Sequence, residues 1–247
     1  MTVPNKPAPL RLLLPLAAAL AVVACKPAED PAAIAARQKA AIEQAADEAA
    51  KQFDAEYGRH NWELAKAHGD VLIDKYPDST AAARIKERHA EAVTKAVDAR
   101  EQRRLSSLWS YGNEPAGKGS QLSASIYSQE PVDTSGSGAQ PVRLIFRDHP
   151  EWGTSSYLVL EAGDFNCYGG CKVKVKADDA APRPMAATRP KTDEAIAMFI
   201  EDEKALWKLA RDAKVVAIEF PVKAGGTRTA VFEVAALDTT SLPKWPQ

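Results

Sequence analysis

Cys167-Tyr168-Gly169-Gly170-Cys171 runs directly into Lys172-Val173-Lys174-Val175-Lys176, and this stretch decides how the C-terminal half is read. Lysine and valine alternate with a period of two, which puts the valines on one face of a strand and the lysines on the other. The two cysteines flank a short glycine-rich turn between strand-like segments. That spacing suits a disulfide pinning a hairpin, and a loop of about five residues contributes about 2 kcal/mol in the chain-entropy account. A redox site is the alternative, but thioredoxin-like motifs keep two residues between their cysteines and open a helix. A metal site would need further ligands, and no neighbouring histidine supplies them.

The same alternation recurs on either side. Leu122, Ala124 and Ile126 alternate with serines and Tyr127, and Val142, Leu144 and Phe146 alternate with Arg143 and Arg147. Tyr157 to Leu160, Val215 to Phe220 and Thr227 to Ala235 are further strands, the last two joined by the turn Lys223-Ala224-Gly225-Gly226. Ala195 to Ile200 is read as a strand, and about Glu203 to Ala213 as one inserted helix with Leu206, Trp207 and Leu209 on its apolar side. Short alternating strands separated by turn residues predict an antiparallel sandwich or barrel. The fold class is therefore α+β: a helical hairpin or small bundle, then an antiparallel β-sandwich over 121–247 with one inserted helix.

Residues 25–110 carry the helical half. They are rich in Ala, Glu, Lys, Arg and Gln, with no glycine before Gly58. Asp30-Pro31 is a capping side chain followed by proline at the first helical position. Gly58-Arg59-His60-Asn61 breaks the run, with Asn61 as a candidate cap for a second helix from Trp62 to about Lys75. Tyr76-Pro77-Asp78-Ser79 ends that one, and a third runs from about Thr80 to Leu108. The apolar stripe is thin and alanine-rich, so a slim bundle is expected. Residues 111–120 read as a linker. Within it Gly112 to Gly119 nearly spells a phosphate-binding loop, but Gly119 stands where Ser or Thr should hold magnesium, and the strand–loop–helix order is reversed.

The first 24 residues read as a signal peptide. Lys6 and Arg11 supply positive charge, Leu12 to Val23 an apolar run, and small residues end in Ala24. The run is short for a transmembrane helix. Val22-Val23-Ala24-Cys25 resembles the lipobox of bacterial lipoproteins, in which the cysteine takes a diacylglycerol and becomes the new N-terminus. The resemblance implies lipidation of Cys25 and membrane attachment through acyl chains, each buried CH2 contributing about 0.8 kcal/mol. Lys26 in place of Asp implies, by the same resemblance, the outer membrane and a periplasm-facing chain. Export leaves only Cys167 and Cys171, an even pair for an oxidising compartment.

Two weaker resemblances bear on function. Trp62-Glu63-Leu64-Ala65, then Leu72-Ile73-Asp74-Lys75-Tyr76-Pro77-Asp78-Ser79 and Ala81-Ala82-Ala83, resemble one tetratricopeptide-like helix pair, a unit that grips other proteins. It spans one repeat, whereas a stable solenoid needs about three. Val142 to Phe146, Gly163-Asp164-Phe165, Val173 to Asp178, Phe199-Ile200-Glu201-Asp202, Val215 to Phe220 and Val231-Phe232-Glu233-Val234 resemble the periplasmic β-sandwich of type VI secretion accessory and invasion-associated proteins. That resemblance implies binding and carries over no catalytic residue.

Candidate chemistry is sparse. His149, in Asp148-His149-Pro150-Glu151-Trp152, lies between two acids and could serve acid–base chemistry, bind a metal or form part of a contact face, but such a loop histidine is more often part of a turn with a solvated ring. There is no His-Glu-x-x-His and no Gly-x-Ser-x-Gly. Lys172, Lys174 and Lys176 solvate a face or blunt a sheet edge, or form a contact face for anionic lipid or peptidoglycan. No cofactor, metal or catalytic residue is expected. With a net charge of −1, no global basic field recruits nucleic acid. The expectation is a non-catalytic envelope lipoprotein that binds an envelope protein as accessory or scaffold. The alternative is a periplasmic inhibitor or immunity lipoprotein that would plug a hydrolase or toxin with the polar loop Ser128 to Gln140. An enzyme built on His149 or the cysteines is the third reading.

Overall fold

The structure, a computed structural model, describes residues 30–191 and 196–246. Cys25, the candidate lipid site, and the 1–24 signal segment lie outside them. Three helices come first: α1 (Pro31–Gly58), α2 (Trp62–Lys75) and α3 (Thr80–Ser107). Asp30 caps α1 by accepting from the Ala32 amide at 3.0 Å, and Ser79 caps α3 by accepting from Ala82 at 3.1 Å. Glu43 of α1 also takes the Thr80 amide, so α1 helps cap α3. Asn61 makes no cap bond for α2. Its side-chain amide donates to Glu56 instead, and the left-handed turn between α1 and α2 is made by His60, at φ 58°, not by Gly58.

The bundle core is small: Ala46, Ala50 and Phe53 of α1 meet Ala65 and Leu72 of α2 and Ala81, Ala82, Ile85 and Ala92 of α3. Alanines let the helices approach closely. Gly69 does so most, since a Cβ there would lie 2.3 Å from the His89 ring, which is itself held by Asp70 at 2.8 Å.

Leu108 alone separates α3 from the sheet. Residues 111–120, expected as a linker, instead form a hairpin of β1 (Trp109–Ala116) and β2 (Gly119–Tyr127), with Gly117 at φ 57° in its two-residue turn. β1 exposes most of its residues, so it lacks the apolar alternation by which a strand is recognised. The sheet continues with β3 (Val142–His149), β4 (Gly153–Leu160), β5 (Cys171–Ala177), β6 (Arg183–Thr188), β7 (Ile196–Ile200), then α4 (Glu203–Asp212), β8 (Val216–Pro221) and β9 (Thr227–Phe232). All pairs are antiparallel, in the order β1-β2-β3-β4-β7-β6-β5-β8-β9.

The two layers of the sandwich-like body belong to this one continuous sheet, which curls over a single core. Gln129, after β2, donates to the Val231 carbonyl of β9 at 2.7 Å, bringing the two halves of the sheet together. Inside, Phe146 of β3 meets Trp207 of α4 at 5.1 Å and Trp245 of the C-terminal tail at 5.5 Å, both edge-on. The Trp207 indole donates to the Pro246 carbonyl at 2.7 Å.

Strand β6 escaped the sequence reading because Pro184 argues against an internal strand. It is accommodated because β7 pairs only with Ala187 and Thr188, leaving the Pro184 end of β6 without a partner on that side. Arg104, in the last turn of α3, forks onto Glu233 at 2.8 and 3.1 Å and fastens the bundle to the sheet.

Phe53 is fully buried and is the largest side chain of the helical core. Phe53→Ala is expected to lower the unfolding free energy by about 3 kcal/mol or more, measured as a shift of the denaturant midpoint followed by helical circular dichroism. A shift close to zero would mean the bundle does not rest on this contact.

Candidate binding faces

Cys167 and Cys171 form the expected disulfide, with Cα atoms 5.0 Å apart. The loop is held by more than that bond. Asp164 accepts from the backbone amide of Phe165, from the Arg189 Nε at 3.0 Å and from the Tyr168 hydroxyl at 2.9 Å, and pairs with the Lys223 ammonium at 2.8 Å. Arg189 is 5% exposed, and its backbone amide donates to the Cys167 carbonyl at 3.1 Å. Burial pushes the Asp164 carboxyl up, but the hydrogen bonds from Lys223, Arg189 and Tyr168 outweigh it and hold it down to about 2. Four donors on one carboxylate leave no acceptor free for acid–base work, so the cluster is a clamp on the cysteine loop. Gly163 beside it is at φ 76°, and a Cβ there would lie 2.2 Å from the Thr134 carbonyl oxygen. No sequence motif announces this cluster, because its members come from three separate segments, 164–168, Arg189 and Lys223.

His149 is placed with neither neighbouring acid. Asp148 points to the opposite side of β3, is 3% exposed and pairs with Lys244 at 3.0 Å. Glu151 lies against the Gly117 turn. The His149 Nδ1 accepts from the Glu151 and Trp152 amides at 3.2 and 3.3 Å, and Trp152 stacks on its ring at 3.9 Å. His149 therefore builds the β3–β4 turn and is itself largely covered. Lys172, Lys174 and Lys176 line the outer side of β5. That strand is internal, between β6 and β8, so the stripe solvates a face and guards no edge. Lys174 is paired with Glu219 at 2.8 Å. The loop expected as a plug, Ser128 to Gln140, is stitched down: Val132 bridges to Gln140, Thr134 donates to Ala162, and Arg228 donates to the Asp133 carbonyl.

The feature that sequence reasoning missed lies on the outer side of β3, β4 and β7. In register across the strands run Ser125, Ile145, Tyr157 and Phe199, with Arg143 and Arg147 of β3 one step to either side of that row. Arg147 lies 5.3 Å from the Tyr157 ring centroid, 5.4 Å from Trp152 and 5.9 Å from Phe199, while Arg143 lies 5.7 Å from Tyr127. Arg143 donates to Ser125 and Arg147 to Ser155, and neither forms an ion pair among the described residues. Trp152 is 68% exposed. The signal was present in the alternation: the phase that buries Leu144 and Phe146 also sends both arginines outward, and the registers add the aromatics.

Among the described residues, no cluster of His, Cys, Asp and Glu is arranged to hold a metal, and no helix is long and apolar enough to cross a membrane. Comparison with known proteins finds no matching family model, no matching curated protein and no matching solved structure.

Because the fold holds the Asp164 carboxyl below its ordinary 3.8, its contribution to stability is complete above about pH 4 and is lost as pH falls through about 2. Asp164→Asn is expected to remove about 1 kcal/mol at neutral pH, allowing for solvent screening, and to flatten the acid limb of the stability curve. An unchanged acid limb would show that the clamp does not form. Reducing the disulfide is expected to cost about 2 kcal/mol, measured by thermal unfolding with and without reductant.

Proposed function

We propose that this chain is a non-catalytic, lipid-anchored envelope protein. It is attached through Cys25 to the outer membrane, faces the periplasm, and acts there as a protein-binding accessory or scaffold. The observation that carries the reading is the outer face of β3, β4 and β7. Among the described residues, two arginines without acidic partners and the rings of Tyr157 and Phe199 are grouped on these strands, with the exposed Trp152 in the β3–β4 turn beside them. Arginine and aromatic side chains are the types that dominate binding energy at protein interfaces. The lipobox resemblance supports the anchor, and the likeness of Trp62 to Ala83 to one tetratricopeptide-like pair supports a gripping role for the helices. Exposed Leu64 and Val71 lie two turns apart on α2 and give that surface an apolar stripe.

An inhibitor would need Ser128 to Gln140 as a free plug, whereas that loop is tied down at Val132, Asp133 and Thr134, which favours the first reading. For the enzyme reading, His149 has its Nδ1 engaged by two backbone amides and its ring covered by Trp152, which supports a turn-building role for this side chain.

Cell fractionation tests the anchor. The wild-type chain is expected in the membrane fraction and Cys25→Ala in the soluble periplasmic fraction. Unchanged membrane association of the variant would overturn it. Cross-linking in intact cells, followed by detergent extraction, tests the scaffold role: at least one envelope protein should be recovered with the lipidated chain, and recovery of none would refute that role.

A further inference from the structure

We infer that the outer face of β3 binds an extended acidic segment of a partner protein, with the pattern acidic–x–apolar–x–acidic. This rests on the protein-binding reading above and names its surface and its partner's chemistry.

The argument is one of register. Arg143, Ile145 and Arg147 are alternate residues of one strand, so they share a face. Four residue steps along the strand set the arginines about 13 Å apart. A second extended chain laid along β3 has the same rise. Its residues i and i+4 therefore fall over the two arginines, and residue i+2 falls over what lies between. That floor is apolar: Ile145, 8% exposed, with Tyr157 and Phe199 beside it in the cross-strand row.

Among the described residues, the charge on this face is positive and complementary to acids. Glu201, at the end of β7, accepts from Thr188 at 2.6 Å. Asp148 is on the other side of the strand with Lys244. Each arginine is already laid against an aromatic ring, with one hydrogen bond to a serine hydroxyl. Stacking holds the guanidinium in place while leaving its edge able to fork onto a carboxylate, so little side-chain entropy remains to be lost on binding. Trp152, projecting beyond Arg147, supplies the exposed ring against which the partner's flank would pack.

A cluster of lysines would suit any polyanion. Two stacked arginines at a fixed separation with an apolar floor between them favour a chain whose acids and apolar residue recur at a spacing of two.

The test is fluorescence anisotropy with the full lipidated chain in detergent micelles. The probe is a labelled peptide of β-branched and threonine residues carrying two glutamates four positions apart and leucine midway. Arg143→Gln and Arg147→Gln should each weaken binding by about tenfold or more, with circular dichroism showing the fold intact. Moving one glutamate by a single position, which turns it to the far side of the peptide, should weaken it comparably.

Equal binding by wild type and the double variant would overturn the proposal, as would indifference to glutamate spacing. Arginine-dependent binding of inorganic polyphosphate or of anionic phosphatidylglycerol vesicles, without binding of the peptide, would overturn it in favour of a polyanion or a lipid surface. Repeating the cross-linking with the double variant separates the two levels. If wild type and variant recover the same envelope protein, the scaffold reading stands and this face is not its site. If wild type recovers none, the scaffold reading itself fails.

Discussion

Phe146 presents its ring to Trp207 and Trp245 edge-on, and Trp109 lies within 6.4 Å of the same ring. These four side chains come from β3, α4, the C-terminal tail and the first residue of β1. Each buries a large apolar area, on the order of 150–250 Å² for an aromatic residue, and together they give the sheet a reason to curl. Without them β1 would be an exposed polar ribbon, α4 would have no floor, and the tail after Phe232 would have no place to end. The curl then defines an outside, and on that outside the phase of β3 sets Arg143 and Arg147 toward solvent.

Much of this was legible in the residues. Alternation identified β3, β5, β8 and β9, and Asp30-Pro31 marked a helix start that the hydrogen bonds bear out. The α+β class and the inserted helix α4 followed from those patterns. What escaped has physical causes. β1 is exposed along most of its length, so it carries no apolar period. β6 contains a proline that is tolerated only because its β7 neighbour stops short. Asn61, expected to cap α2, makes no such bond because its side-chain amide is taken by Glu56.

Contact surfaces were less legible than elements. The cysteine pair was visible as a motif, but the Asp164 clamp that supports it is a meeting of segments up to 59 residues apart in number, from Asp164 to Lys223. His149 drew notice as the one histidine between acids, yet alternation sends Asp148 to the opposite side and backbone amides occupy its ring nitrogen. The arginine–aromatic face needs the strand order β3-β4-β7 to be known before Tyr157 and Phe199 become neighbours.

The joint between bundle and sheet has a consequence for encounter. α3 is 28 residues long, about 42 Å at 1.5 Å per residue, and it passes into β1 through one leucine while Arg104 locks its last turn to Glu233. A flexible tether lets a domain sample many directions, with a local concentration set by linker length. This stem restricts such averaging, because the one-residue joint and the Arg104–Glu233 pair limit how far the arginine-bearing face can turn relative to the helices. Copies held by their helical ends on a common surface would all look the same way. A partner with recurring acidic stretches would then be met by an aligned array, and gain avidity from alignment instead of from tighter individual contacts.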